Sequence, residues 1–150
     1  MLLASFVAFG HFIALFALIA ALVLQLALLS ESLSVGIARR IQRADRIYGL
    51  AAMSMLIFGF LRVIYFEKGS DYYFSNSFFQ IKLGLFILLG LISIYPTIRY
   101  ARWSSVLKQD MAPELSSDMV KRLKHMIHWE LVLLGGILLC ASLMAKGFGS

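Results

Sequence analysis

The chain has few of the residues that build covalent, metal or nucleotide sites. Only 15% of its 150 residues are charged, and it contains two prolines, one cysteine and three histidines. The single cysteine, Cys140, excludes a disulfide within the chain, and no paired Cys/His spacing typical of zinc sites is present. A glycine-rich phosphate loop and a nucleophile elbow are also missing. What remains is a chain that is 61% hydrophobic.

Four apolar runs occupy most of the chain, at residues 2–29, 47–66, 78–95 and 127–145. Each is close to the roughly 20 residues that a helix needs to cross a hydrocarbon layer about 30 Å thick. The first run has no basic segment ahead of it and no clear cleavage site, so we read it as a retained span and not as a secretion signal. With short connections, nothing remains for a second domain. The sequence therefore predicts an all-α integral membrane protein, a single four-helix bundle with up-down-up-down topology.

The basic residues indicate how this bundle is oriented. The net charge is +6, and ten of the fourteen Lys and Arg residues fall in the connections between spans one and two and between spans three and four. The positive-inside rule places both connections in the cytoplasm, so we expect both termini outside and an outer loop at residues 67–73. The basic connections are typical partners of anionic lipid head groups in the bilayer, and no nucleic-acid partner is expected.

Three local signals add detail at the inner side of the membrane. Residues 37–46 alternate apolar and basic positions at helical spacing, which predicts a short amphipathic helix along the membrane surface. Pro96 predicts that the third helix ends or kinks at about Tyr95. Ser117 or Asp118 is a candidate cap for a helix that begins before the membrane and continues into the fourth span.

Polar residues inside the spans are the candidates for function, and their depth sorts them into two layers. At about 1.5 Å per residue, His11 lies roughly 12 Å below the outer boundary, and Arg62 and Lys82 lie about 5 Å below it. These three form an outer layer. The inner layer comprises Gln25, Arg99, His125, His128 and Glu130. Because buried charges in a membrane are costly, we expect Glu130 to be paired, with Arg43, Arg46 or His128 as candidates.

His11 allows two interpretations, a functional group such as a haem ligand or proton relay, or one interhelical hydrogen bond. A haem clamped between His11 and His128 is disfavoured, since by the same scale the two differ by about 13 Å in depth. If haem binds, His11 is the better ligand, with Met55 or an open position opposite it. Arg62 and Lys82 would then suit the propionates. The glycines of the spans, including Gly59, Gly84, Gly90, Gly135 and Gly136, are most simply sites of close helix packing.

Several motifs resemble those of a known family. They are His11–Phe12, residues 43–52 (RADRIYGLAA), Arg62, residues 78–86 (FFQIKLGLF), residues 93–97 (SIYPT), Arg102–Trp103 and Glu130. Together they are similar to domain of unknown function 2214, a family of small bacterial four-span membrane proteins. The order of polar residues more distantly resembles the HemJ-type protoporphyrinogen oxidases and the CopD-type membrane domains. That likeness implies His11 as ligand or catalytic residue and Lys82 as its basic companion.

Three functional hypotheses follow, of which the third is a carrier for a small hydrophobic or anionic substrate. The first is a membrane redox protein of the bacterial inner membrane, an oxidoreductase that binds haem b or another porphyrin in the outer half of the bundle. Its catalytic candidates are His11, Lys82 and Glu130, its cofactor-binding candidates are His11, Arg62, Lys82 and Met55, and His11 is the metal ligand. A quinone or a respiratory complex would be the electron partner. The second hypothesis is a non-catalytic accessory subunit that packs into a larger membrane complex or a homo-oligomer.

Overall fold

The computed structural model describes residues 2–66 and 70–149, and their regular structure is helical throughout. The elements are α1 (Leu2–Leu28), α2 (Val35–Leu61), a π-helical segment that continues α2 (Arg62–Phe66), α3 (Ser70–Ser75), α4 (Ser77–Arg102), α5 (Ser104–Lys108) and α6 (Ser117–Ala145). Four stretches, Leu2–Leu28, Val35–Phe66, Ser77–Lys108 and Ser117–Ala145, are long and apolar enough to cross a membrane. The predicted all-α four-helix membrane bundle is confirmed, and its orientation in the membrane stays a prediction.

Two of the long helices begin well before their apolar runs at the inner end. Residues 37–46 are the first turns of α2, so the predicted separate helix along the membrane surface is wrong. Ser34 starts α2, because its hydroxyl accepts a hydrogen bond from the Ile37 amide at 3.2 Å. The helix that precedes span four is confirmed, but its cap is Ser116 and not Ser117 or Asp118. The basic residues of 39–46 therefore stand on a rigid helix.

Pro96 lies inside α4, which continues to Arg102, so of the two predicted alternatives a helix end at Tyr95 is wrong and a kink there stays a prediction. A proline removes one intrahelical hydrogen bond, and neighbouring helices in a membrane bundle compensate for that loss. Here α2 is hydrogen-bonded to two residues of α4 that follow the proline. Thr97 Oγ1 donates to Asp45 Oδ1 at 2.9 Å, and Gln42 Nε2 donates to the Tyr100 carbonyl at 2.6 Å.

The bundle consists of two closely packed helix pairs, α1 with α2 and α4 with α6, and the contact between the pairs is slighter. The largest apolar side chains buried along these contacts are Leu18, Leu22, Ile41, Leu89, Leu123, Ile127 and Leu134. Gly136 lets α6 approach α4, because a Cβ there would lie 3.2 Å from Leu85 Cδ1. Packing as the role of Gly136 is thus confirmed, whereas a Cβ on Gly84, Gly90 or Gly135 would meet nothing within 4 Å.

At the outer end, Asn76 joins α4 to the end of α6. Its side-chain oxygen accepts hydrogen bonds from the amides of Phe78 and Phe79, and its Nδ2 donates to the Phe148 carbonyl at 3.0 Å. The Ser77 amide donates to the Gly149 carbonyl at 3.2 Å. Of the predicted outer loop at 67–73, residues 67–69 lie outside the described residues, and residues 70–73 belong to α3.

Candidate functional site

A cavity of about 380 Å³ lies in the outer half of the bundle, between the two helix pairs. All four long helices and α3 contribute to its lining, and the walls are mostly apolar and aromatic. Aromatic rings line it from both pairs: Phe12, Phe60, Tyr73, Phe79 and Phe86. A concave, largely apolar site with a few converging polar groups is the usual form of a small-molecule site. We call it the outer cavity.

His11 enters the outer cavity from α1 and packs against the backbone of α2. A Cβ on Gly59 would lie 3.5 Å from His11 Cε1, an ordinary van der Waals contact, so residue 59 has room beside the imidazole for a small side chain only. Phe12 follows with its ring edge-on to the imidazole, at a centroid distance of 6.5 Å. The sequence indicated the packing role of Gly59 but not which side chain it accommodates.

Arg62 and Lys82 also line the outer cavity, so the three residues of the predicted outer layer are brought together. Arg62 is the first residue of the π-helical segment, a wider helical turn that is frequent at functional sites. Lys82 lies on α4 with its ammonium group 5.1 Å from the centroid of the Phe79 ring. The cavity therefore combines one imidazole with two cations among apolar walls.

Met55 is buried and lines the same cavity, whereas Met53 is exposed on the outer face of α2. Because Gly59 is the residue of α2 beside His11, Met55 lies one helical turn deeper, about 6 Å along the axis. Met55 thus forms part of the inner floor of the outer cavity.

Glu130 does not line the outer cavity. It is 1% exposed on α6, and its carboxylate lies near the Tyr48 hydroxyl of α2, which also faces Ser93 of α4. In the part of the chain that the structure describes, the Tyr48 hydroxyl and Glu130 Oε2 lie near each other without the geometry of a full hydrogen bond. The three helices therefore meet at a buried polar cluster, Tyr48, Ser93 and Glu130, that is separate from the outer layer.

The expected ion pair of Glu130 with Arg43, Arg46 or His128 is not formed among the described residues. His128 is two residues away and lies on the exposed side of α6, where its Nδ1 is 2.7 Å from the Lys124 carbonyl oxygen. Nearby, Trp129 Nε1 donates to His125 Nε2 at 2.9 Å. Depth alone predicted the pairing, but the rotation of each helix decides which side chains at one depth can meet.

Two further members of the inner layer differ in their surroundings. Gln25 is buried on α1, and its Nε2 has no hydrogen-bond partner among the described residues. Arg99 lies over the Tyr95 ring at 5.1 Å. Sequence reasoning missed Gln42, whose Nε2 bonds both the Tyr100 carbonyl and Ser104 Oγ. Its place on the same helix face as Ala38, Ile41 and Asp45 was the available signal.

Across residues 2–66 and 70–149, no group of three or more His, Cys, Asp and Glu side chains is placed to hold a metal ion. His11 is the imidazole that lines the outer cavity.

Comparison with known proteins gives one relationship. No curated protein and no solved structure matches the chain significantly. A family model described as a predicted membrane protein, DUF2214, matches residues 3–149 and so covers all four long helices. The chain belongs to the DUF2214 family of predicted membrane proteins.

Proposed function

We propose that the outer cavity binds haem b or a related porphyrin, and that the protein is an oxidoreductase of the bacterial inner membrane. The observation that carries the proposal is the composition of the cavity. One imidazole, two cationic side chains and several aromatic rings converge on a space between two helix pairs. A flat apolar macrocycle with carboxylate groups matches each of these features.

The residues that line the outer cavity would hold such a group in distinct ways. His11 would offer a ring nitrogen to its metal from the α1 wall, and the aromatic side chains of α2 and α4 would offer flat apolar surfaces to the macrocycle. Met55, one turn deeper than His11, would add an apolar contact at the inner floor of the cavity. His11 is therefore the side chain proposed as the metal ligand.

Two cationic side chains of the outer cavity support the proposal. Arg62 and Lys82 line the part of the cavity nearest the outer ends of α2 and α4, where they can pair with porphyrin carboxylates through charge-assisted hydrogen bonds. When bound, haem supplies one-electron chemistry, and a quinone or a respiratory complex is the proposed electron partner. The protein supplies the ligand, the carboxylate contacts and an apolar enclosure. Glu130 lies outside the cavity lining, and its proposed part is to hold a proton.

The absorption spectrum of the purified protein tests the proposal. After expression with ample haem supply and purification in mild detergent, we expect a Soret band that His11→Ala removes or shifts. His125→Ala is the matched control, because His125 is exposed at the other end of the bundle, and it should leave the band unchanged. Wild-type protein without a Soret band would contradict haem binding, and a band unchanged in His11→Ala would contradict the ligand assignment.

A second candidate is a non-catalytic subunit of a larger membrane complex or of a homo-oligomer. The observation that favours it is the exposure of α4: 11% of the most apolar window of Ser77–Lys108 is buried, against 22–28% in the other three spans. Either lipid or another protein chain can cover such a helix, and the mass of the purified particle distinguishes these two alternatives. A mass in native detergent that exceeds one chain plus its detergent would support this candidate, and a monomeric mass would contradict it.

A further inference from the structure

A second cavity, of about 430 Å³, opens at the inner end of the bundle between α2 and α5. Its side chains are mainly cationic: Arg39, Arg43 and Arg46 from α2 and Lys108 from α5, with Gln42 and Ser104 between them. We call it the basic cleft. It shares no lining residue with the outer cavity, and the proposed redox function does not use it.

The cleft holds more positive charge than nearby carboxylates balance. Arg39 is paired with Asp110 at 3.1 Å, and the same nitrogen donates to the Leu107 carbonyl at 3.0 Å. No carboxylate within the described ranges lies within 4 Å of the cationic groups of Arg43, Arg46 or Lys108. Asp45 acts on Arg46 from a greater distance and accepts a hydrogen bond from Thr97. Three cations around one cleft favour an anionic ligand.

The depth of the cleft matches the head-group layer. The apolar part of α2 begins at Ile47, so Arg46 and Arg43 lie about 2 and 6 Å beyond it along the helix. Head groups occupy roughly 5–7 Å on each side of the hydrocarbon core. The guanidinium groups that have no paired carboxylate are therefore at the height of lipid phosphates.

The same face of α2 continues into the membrane as an apolar stripe. Positions 39, 43, 46, 50, 53 and 57 follow one another at alternating steps of four and three residues, which keeps them on one side of a helix. All six are exposed, and Leu50, Met53 and Ile57 are 70%, 59% and 55% exposed. The face is basic over its inner turns and apolar from Leu50 onward, the pattern of a phospholipid from head group to acyl chain.

We propose that the basic cleft is a specific site for an anionic phospholipid, whose phosphate binds Arg43, Arg46 and Lys108. Its acyl chain lies along Leu50, Met53 and Ile57. Ser104 is placed to donate a further hydrogen bond to the phosphate, because its hydroxyl now accepts one from Gln42 and has its own proton to give. Basic pockets at the cytoplasmic side of membrane helices are suited to such head groups.

The test measures lipid binding to the whole protein in neutral detergent. Thermal unfolding is followed while phosphatidylglycerol, phosphatidylcholine or glycerol 3-phosphate is added. We expect phosphatidylglycerol to raise the midpoint temperature at the lowest concentration and the other two to act only weakly. Equal stabilisation by phosphatidylcholine would overturn the requirement for charge. Equal stabilisation by glycerol 3-phosphate would overturn the lipid assignment in favour of a soluble phosphate ester.

Charge-removing variants locate the site. The triple variant Arg43→Gln, Arg46→Gln and Lys108→Gln should bind phosphatidylglycerol about 100-fold more weakly, since each basic residue near an anionic surface contributes roughly a factor of five. The control variant is Arg40→Gln, Arg102→Gln and Lys121→Gln. It removes the same charge from exposed positions of the inner half that do not line the cleft, and it should change binding less than about threefold. Equal losses in both would show a diffuse charge effect and overturn the proposal.

Should the triple variant fold poorly, Leu50→Ser with Met53→Ser gives an independent test on the lipid-facing stripe. It should weaken phosphatidylglycerol binding several-fold and leave the weak response to glycerol 3-phosphate unchanged. Binding of phosphatidylglycerol at wild-type strength in this variant would contradict the placement of the acyl chain.

Discussion

The imidazole of His11 lies against Gly59, so close that a Cβ on residue 59 would be 3.5 Å from His11 Cε1. That distance is ordinary van der Waals contact, so the space at residue 59 admits a methyl group but nothing much larger. The position of His11 in the outer cavity thus depends on the size of one side chain on the neighbouring helix.

Gly59→Ala should preserve the site, and Gly59→Leu should destroy it. A leucine side chain at residue 59 would occupy the space of the imidazole or of the outer cavity itself. With the proposed haem, the Soret band should persist in the alanine variant and be lost in the leucine variant. Both variants should keep their helical circular dichroism, which separates loss of the site from loss of the fold. A leucine variant with a normal spectrum would show that the ligand lies elsewhere.

Asn76→Ala should lower the stability of the bundle. Asn76 is fully buried, caps α4 through two backbone amides and holds the Phe148 carbonyl. Losing such a cap costs about 1–2 kcal/mol, or roughly 2–8 °C in the midpoint temperature of a chain this long. Ser105→Ala removes an exposed hydrogen bond to the Arg102 carbonyl and should shift the midpoint by less than about 2 °C. Equal shifts in the two variants would contradict the role of Asn76.

The adjacent glycines of α6, Gly135 and Gly136, should respond differently to substitution by leucine. A leucine at residue 136 would collide with Leu85 and push α4 away, an overpacking cost of about 1–3 kcal/mol. A leucine at residue 135 would meet no atom within 4 Å of its Cβ and would face lipid. The midpoint temperature of thermal unfolding should therefore fall by several degrees for Gly136→Leu and stay near the wild-type value for Gly135→Leu. The reverse order would mean that α4 and α6 pack through a different face.

Glu130→Gln should fold at least as stably as the wild type. The amide keeps the volume of the side chain and cannot carry a charge into a position that is 1% exposed and distant from basic partners in the described structure. Glu130→Ala should lose about 2–4 kcal/mol, because it leaves a void between α2, α4 and α6. Marked destabilisation of the glutamine variant would show that the charged carboxylate has a stabilising partner.

The features that the sequence predicted are those that depend only on position along the membrane normal. The lengths of the apolar runs located the four spans, and the depths of His11, Arg62 and Lys82 predicted the layer that the structure brings together at one cavity. The depth of a residue does not tell in which direction its side chain points around the helix axis. Glu130 was therefore predicted to pair with basic residues at its depth, whereas its neighbour in the structure is Tyr48.

Two predictions from local sequence signals, at Pro96 and at residues 37–46, differ from the structure at places where α2 packs into the bundle. Pro96 indicates a helix end or kink, yet α4 continues past it, and two hydrogen bonds join the following turn to α2: Thr97 donates to Asp45, and Gln42 donates to the Tyr100 carbonyl. Residues 37–46 read as a surface helix because their basic face is prominent, but Ala38 and Ile41 are fully buried in the bundle. In both cases a contact distant in sequence decided the outcome.

The pairing of α1 with α2 and of α4 with α6 has a consequence for biogenesis. Each pair is contiguous in sequence, so each can enter the membrane as a hairpin and form most of its contacts before the other arrives. The outer cavity is complete only once the second hairpin has joined the first, because α4 and α6 form part of its wall. Two co-expressed polypeptides, divided between α2 and α3, should accordingly reassemble in the bilayer, and any ligand would be captured at that final step.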